Sequence, residues 1–180
     1  TIFVAGQYNQ NTNFLSYLDG WGINGVDIFF VISGFVMLHT QFKKKSSPIE
    51  FIKARVVRIV PTYWVVSSLI ILLFFINSNL FNNANFDLKL IISSYFFLSN
   101  LINNSLPILN VGWTLEFEML FYTIFALSLN FKNLKTVIIF TTLILILITL
   151  FSNQLLFVEF IFGMIIAYDY NKIRLNNNLG

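Results

Sequence analysis

Leu88-Lys89-Leu90-Ile91-Ile92-Ser93-Ser94-Tyr95-Phe96-Phe97-Leu98-Ser99-Asn100-Leu101 is the stretch on which the topology turns. Its apolar content suggests a membrane crossing, but Ser93, Ser94, Ser99 and Asn100 interrupt it. If it crossed fully, Lys132, Lys135, Lys172 and Arg174 would lie opposite the basic run 43–58. If it only dips into or lies on the outer surface, ten of the eleven basic residues share one side and Lys89 stands alone on the other. Lys and Arg collect in cytoplasmic loops. The second layout is therefore expected.

The surrounding blocks are stronger. Apolar runs cover 22–38, 62–76, 111–129, 136–151 and 155–170, and Ser152-Asn153-Gln154 is a short turn between the last two. A membrane helix needs about 20 mostly apolar residues. Between the first two runs, Pro48 stands where a helix would begin, and apolar residues at helical spacing (Phe51, Ile52, Val56, Ile59, Val60) predict a surface-lying helix over 49–60. Pro61 then opens the second span. The expected fold is all-α: a polytopic transmembrane helical bundle of about five full spans plus one re-entrant or interfacial helix. The localisation expected from it is a multi-pass protein of the inner, cytoplasmic membrane.

Composition excludes most other classes. Of 180 residues, 57% are hydrophobic and only 11% charged, whereas a soluble domain keeps roughly 25% charged residues. The absence of cysteine rules out disulfides and thiolate metal sites, and His39, the single histidine, rules out a multi-histidine metal centre within this chain. Thr1 opens directly into Ile2-Phe3-Val4-Ala5, so the chain is expected to be part of a longer one.

Charges inside spans are costly, roughly 2.5–3.5 kcal/mol each on insertion scales, and so need a reason. Asp27 opens the first span, either as a helix N-terminal acid favoured by the macrodipole or as part of a site. Glu116 and Glu118 are two apart and point in nearly opposite directions, so they should not form one carboxylate pair. Glu118 and Tyr122 are four apart and share a face, as a functional polar patch or as an interhelical hydrogen bond. Glu159 reads as structural. His39 closes the first span and reads as interfacial. Arg55 and Arg58, three apart on one face, suit either a phosphate-bearing ligand or anionic lipid heads. On this layout the two arginines lie at the cytoplasmic surface and Asp27, Trp113, Glu116 and Glu118 near outer helix ends, so any chemistry must join two faces of the membrane.

Four blocks in order resemble the membrane-bound acyltransferase family 3, in particular its exopolysaccharide O-acyltransferase branch. Residues 25–35, Gly-Val-Asp-Ile-Phe-Phe-Val-Ile-Ser-Gly-Phe, are similar to the GVDxFFVxSGF signature. Residues 55–63, Arg-Val-Val-Arg-Ile-Val-Pro-Thr-Tyr, resemble RxxRIxPxY; residues 112–122 resemble GWxLxxExxFY; residues 158–164 resemble a later EFxxGM element. The resemblance implies transfer of an acyl group, usually acetyl, from acyl-CoA to a sugar hydroxyl of a surface polysaccharide or its lipid-linked precursor. It associates Arg55 and Arg58 with the coenzyme, gives Glu118 and Asp27 the catalytic positions, and sets Ser33, Trp113, Glu116 and Tyr122 along the substrate path. Acyl-CoA is implied as a donor substrate, with no permanently bound cofactor, no metal and no nucleic acid.

The pattern also departs from the family. Family members begin with a helix bearing a histidine thought to act as base; only its end, over 1–7, is matched here, and that position holds no histidine. His39 follows the first signature and does not take that role. Residues 1–180 are thus expected to form one acyltransferase-like domain lacking most of the first helix and the C-terminal helices, inactive by itself. The competing expectations are a catalytically dead remnant and a polytopic transporter or scaffold. The internal repeats common in transporters are not found.

Overall fold

The computed structural model describes residues 15–77, 86–100, 105–152 and 154–177, with side chains described between 25 and 174. The described residues are helical, without strands: α1 (Leu15–Lys43), α2 (Pro48–Ile76), α3 (Leu88–Tyr95), a 3-10 turn (Asn110–Gly112), α4 (Trp113–Ser128), α5 (Leu134–Ser152) and α6 (Leu156–Asn177). Three segments are long and apolar enough to cross a membrane on their own: Gly25–Lys43, Pro48–Ile76 and Leu134–Ser152. α4 has only 16 residues, and α6 carries Glu159, Asp169, Lys172 and Arg174.

α3 ends where its serines begin to bond each other. Its 8 residues rise about 12 Å, far less than the roughly 30 Å of a hydrocarbon core. Asp87 caps its start by accepting from the Leu90 amide at 2.8 Å. Ser94 and Ser93 meet Ser99 at 2.9 and 3.2 Å, and Phe97 turns the chain with a φ of 60°. The helix lies along the far half of α2. Trp64 donates its indole N–H to the Tyr95 carbonyl at 3.0 Å, and Ser68 meets the Tyr95 hydroxyl at 2.5 Å.

The expectation of two elements around Pro61 is corrected. α2 is one helix of 29 residues with Pro61 inside it. A proline removes one helical hydrogen bond and crowds the carbonyl four residues back, but burial of Val60, Tyr63 and Ser67 on either side of it fixes the helix through the defect. Its start follows the expectation. Pro48 is the first helical residue, and Ser47 and Glu50 form a reciprocal capping box.

Packing order gives the topology. Contacts of α1 with α6 ascend together (Phe30 on Phe160 at 4.8 Å between ring centroids, His39 on Asn171 at 3.0 Å), so these helices run parallel. Gly34 and Gly163 set their spacing. A Cβ on Gly34 would collide with the Phe160 carbonyl oxygen, and one on Gly163 with that of Val31. α4 runs antiparallel to α2, pairing Phe51 with Phe125 (5.2 Å) at one end and Tyr63 with Gly112 at the other. α5 returns along α4, with the Thr141 hydroxyl donating to Ser128 at 2.9 Å. Phe30, Phe121, Phe125, Phe157 and Phe160 fill the centre, all almost fully buried.

Candidate active site

Residues from three helices meet at Glu118. Its Oε1 accepts from the Ser33 hydroxyl at 2.8 Å and from the Tyr122 hydroxyl one turn along α4. All three are buried. The i, i+4 spacing puts the tyrosine on the carboxylate's own face, and burial makes each bond count, because an unmatched carboxylate here would be expensive. The Arg55 guanidinium carbon stands 5.4 Å from the Phe51 ring and 5.7 Å from the Tyr122 ring, a cation–π arrangement. Its Nε is enclosed and has no hydrogen-bond partner among the described residues.

This cluster corrects one expectation. The sequence reading set Arg55 and Glu118 toward opposite faces of the membrane, yet a single tyrosine touches both. The cause is register: α4 starts at Trp113 beside Tyr63, midway along α2, not at its far end. Glu118 therefore lies deeper in the bundle than a helix starting at the outer surface would place it.

The other predicted residues divide. Glu116 points away from Glu118, as the two-residue spacing predicts, and is 1% exposed. Its carboxylate accepts from the amides of Ser99 at 3.0 Å and Asn100 at 2.8 Å, tying the chain after α3 to α4. Asp27 stands apart from the cluster, its carboxyl meeting that of Glu159 across the α1–α6 seam. Trp113 packs edge-on against Phe117 at 6.0 Å. Arg58 turns toward α4 like Arg55, but opens onto a groove beside Leu109 and Leu115. His39, stacked on Phe35 at 5.4 Å, bonds through Nδ1 to Asn171 at 3.0 Å. Asn171 gives its amide N–H to the Ala167 carbonyl at 2.6 Å, so its oxygen faces the ring and Nδ1 must be the donor.

Two partnerships escaped the sequence reading. Glu159 was read as structural without its partner Asp27, and the amides of Ser99 and Asn100 were not foreseen as ligands of Glu116. Backbone donors leave no mark in side-chain spacing. The four blocks do meet pairwise: Ser33 with Glu118, Arg55 with Tyr122, Tyr63 with Gly112, and Gly34 with the backbone of Phe160.

Comparison with known proteins follows the same lines. The exopolysaccharide production protein ExoZ of Rhizobium meliloti (strain 1021) is 42% identical over 111 residues, covering 60% of this chain and 34% of that protein. The chain thus matches about a third of the length of that relative. No solved structure matches. A family model described as an acyltransferase domain matches residues 2–180, essentially the whole chain, and the chain belongs to the acyltransferase 3 family.

Proposed function

We propose that the protein to which this chain belongs is an O-acyltransferase of the cytoplasmic membrane, moving an acetyl-type group from acyl-CoA to a sugar hydroxyl of an exopolysaccharide. In this reaction the hydroxyl oxygen attacks the thioester carbonyl, the C–S bond breaks, and the hydroxyl proton ends on the coenzyme thiol. Arg55, held over Tyr122, provides a fixed cation for the phosphate-bearing donor. Glu118 receives the acceptor: both of its described donors converge on Oε1, so Oε2 can take the hydrogen of an incoming hydroxyl. Asp27 and Glu159 line the far end of the same α1–α6 seam. In the five-span layout, α4 and α6 join α1, α2 and α5 as crossings while α3 remains on the outer side.

The observation that carries this reading is the meeting of Ser33, Glu118, Tyr122 and Arg55, drawn from three separated sequence blocks. A second reading has its own support. Glu118 is 5% exposed and already bonded to two side chains, as a purely structural interhelical link would be. Glu118→Gln in the full-length protein separates them, with acyl groups on the polysaccharide measured alongside protein abundance in the membrane. Loss of acylation by roughly 10²- to 10⁴-fold at normal abundance is expected. Normal acylation would leave the structural reading.

A further inference from the structure

Phe30, Ser33, Met37 and Gln41 recur at three- and four-residue spacing on α1 and are all buried, so they form one stripe facing into the bundle. Two of the four are polar. Ser33 is engaged with Glu118. Gln41, 3% exposed near the C-terminal end of the helix, turns instead to the chain that follows α1. Its Nε2 donates to the Ser46 hydroxyl at 2.5 Å, and its Oε1 accepts from the Ser46 amide at 3.1 Å. A buried amide stripped of such partners is costly, so the pair of bonds fixes Ser46 against α1.

The connection has little else to hold it. Only Lys44, Lys45, Ser46 and Ser47 lie between α1 and α2, and Lys43, Lys44 and Lys45 are all exposed. Neighbouring like charges repel and stay in solvent. The helices beyond do not share a broad seam, because α1 packs on α6 and α2 on α4. Ser47, next to the clipped residue, is already locked into its capping box with Glu50. The hold therefore passes from α1 into the first turn of α2 without slack.

Counting along the two helices shows what the clip sets. α4 runs with α6, Phe117 on Phe157 and Phe121 on Phe160, and so with α1 and opposite to α2. From Gln41 back to Ser33 is eight residues, and from Ser47 on to Arg55 is eight more, each about 12 Å of helix. Equal climbs bring Ser33 and Arg55 to one height, where Glu118 and Tyr122 stand one turn apart on α4. A slip of α2 by one residue would move Arg55 about 1.5 Å along the axis and about 100° around it, off the Tyr122 ring.

We propose that Gln41 is a positioning residue: its paired bonds to Ser46 set the register of α2 against α1 and so keep the Arg55 guanidinium over Tyr122, beside the Ser33–Glu118 bond. Its consequence for turnover rests on the acyl-transfer reading, in which Arg55 holds the donor. The clip itself rests on Gln41 and Ser46 alone.

Gln41→Leu in the full-length protein keeps the bulk of the side chain and removes both bonds. Its KM for acetyl-CoA should rise roughly ten-fold, with kcat and the KM for the acceptor within about two-fold of wild type. Ser46→Ala, a change in the connection that removes one of the bonds, should raise the same KM by about three-fold. Gln41→Glu should restore it, because a carboxylate still accepts from the Ser46 amide and the Ser46 hydroxyl can rotate to donate to the second oxygen. Spin labels on cysteines at the exposed positions Val36 and Val57 read the register without catalysis. Their distance should be narrowly distributed in wild type and Gln41→Glu and broad in Gln41→Leu.

Arg55→Ala tells the two failures apart. If it raises the KM for acetyl-CoA while Gln41→Leu and Ser46→Ala do not, or if Gln41→Leu and Gln41→Glu raise it equally, the positioning role is overturned and the donor site stands. If Arg55→Ala leaves that KM unchanged, the donor reading fails, and the label distance alone decides the clip: broadening in Gln41→Leu supports it, and a distance that stays narrow overturns it.

Discussion

The seam between α1 and α6 and the seam between α2 and α4 are made from similarly apolar helices, yet one is closed and the other open. At the first, Gly34 and Gly163 bring backbone onto backbone, and Phe30 and Phe160 fill the flank. Nothing can enter between them. At the second, Phe51, Arg55 and Tyr63 hold α2 off α4 by the width of an aromatic ring or a guanidinium, leaving the groove below Arg58. In a membrane, where apolar surface gains little by meeting apolar surface, small residues decide which helices close up. Large and charged residues then mark the side left for ligands.

The sharpest way to break this contrast is Gly163→Ala. The added methyl would meet the Val31 carbonyl and, at 2.7 Å, the Phe35 amide nitrogen, and helix backbone cannot step aside as a side-chain tip can. Overpacking typically costs 1–3 kcal/mol, and a backbone collision should reach the upper end, about 3 kcal/mol. Thermal unfolding of the purified full-length protein should show a lower Tm, and cysteines placed on facing positions of α1 and α6 should cross-link less. Unchanged Tm and cross-linking would mean that the two helices do not touch there.

This seam also shows what sequence can and cannot give. The apolar runs located the helices, Pro48 marked the start of α2, and the serines that interrupt the stretch from Leu88 stand where α3 stops after 8 residues. The four blocks hold residues that meet in the fold. Spacing within a helix predicted the Glu118–Tyr122 bond because both ends lie on one element. It could not predict Ser33 on Glu118, nor Asp27 against Glu159, because those depend on the register between helices distant in the chain. Register in turn depends on where α4 begins, which is set by the irregular chain before it and has no periodic signature. Pro61 misled for a related reason. Local propensity argues for a break, and tertiary packing around Val60 and Tyr63 overrides it.

A second experiment perturbs the open side alone. Glu116→Gln keeps one acceptor oxygen but turns an amide N–H toward the Ser99 or Asn100 amide, which now donate to the carboxylate at 3.0 and 2.8 Å. Hydrogen bonds to charged groups contribute about 1.5–3 kcal/mol, so a loss of about 2 kcal/mol is expected. The loss should be local. Amide hydrogen exchange should speed up over 96–100 while the α1–α6 amides keep their protection. Equal acceleration on both seams would show that the two are not separate in stability.

The smallest expected effect tests the contrast at a matched substitution. Gly112→Ala adds the same methyl group as Gly163→Ala, and its Cβ would sit 2.7 Å from its nearest neighbour, the Tyr63 ring edge, a less severe approach than the one to the Val31 carbonyl oxygen at Gly163. The neighbour differs in kind. A ring edge at the end of a side chain, beside an open groove, can shift by a few tenths of an ångström where a helix backbone cannot. The cost should stay near 1 kcal/mol, the low end of overpacking. The Tm of the variant should therefore stay well above that of Gly163→Ala. If the two alanines lower Tm equally, the α2–α4 seam is as rigid as the α1–α6 seam, and the groove is then a fixed gap in the packing.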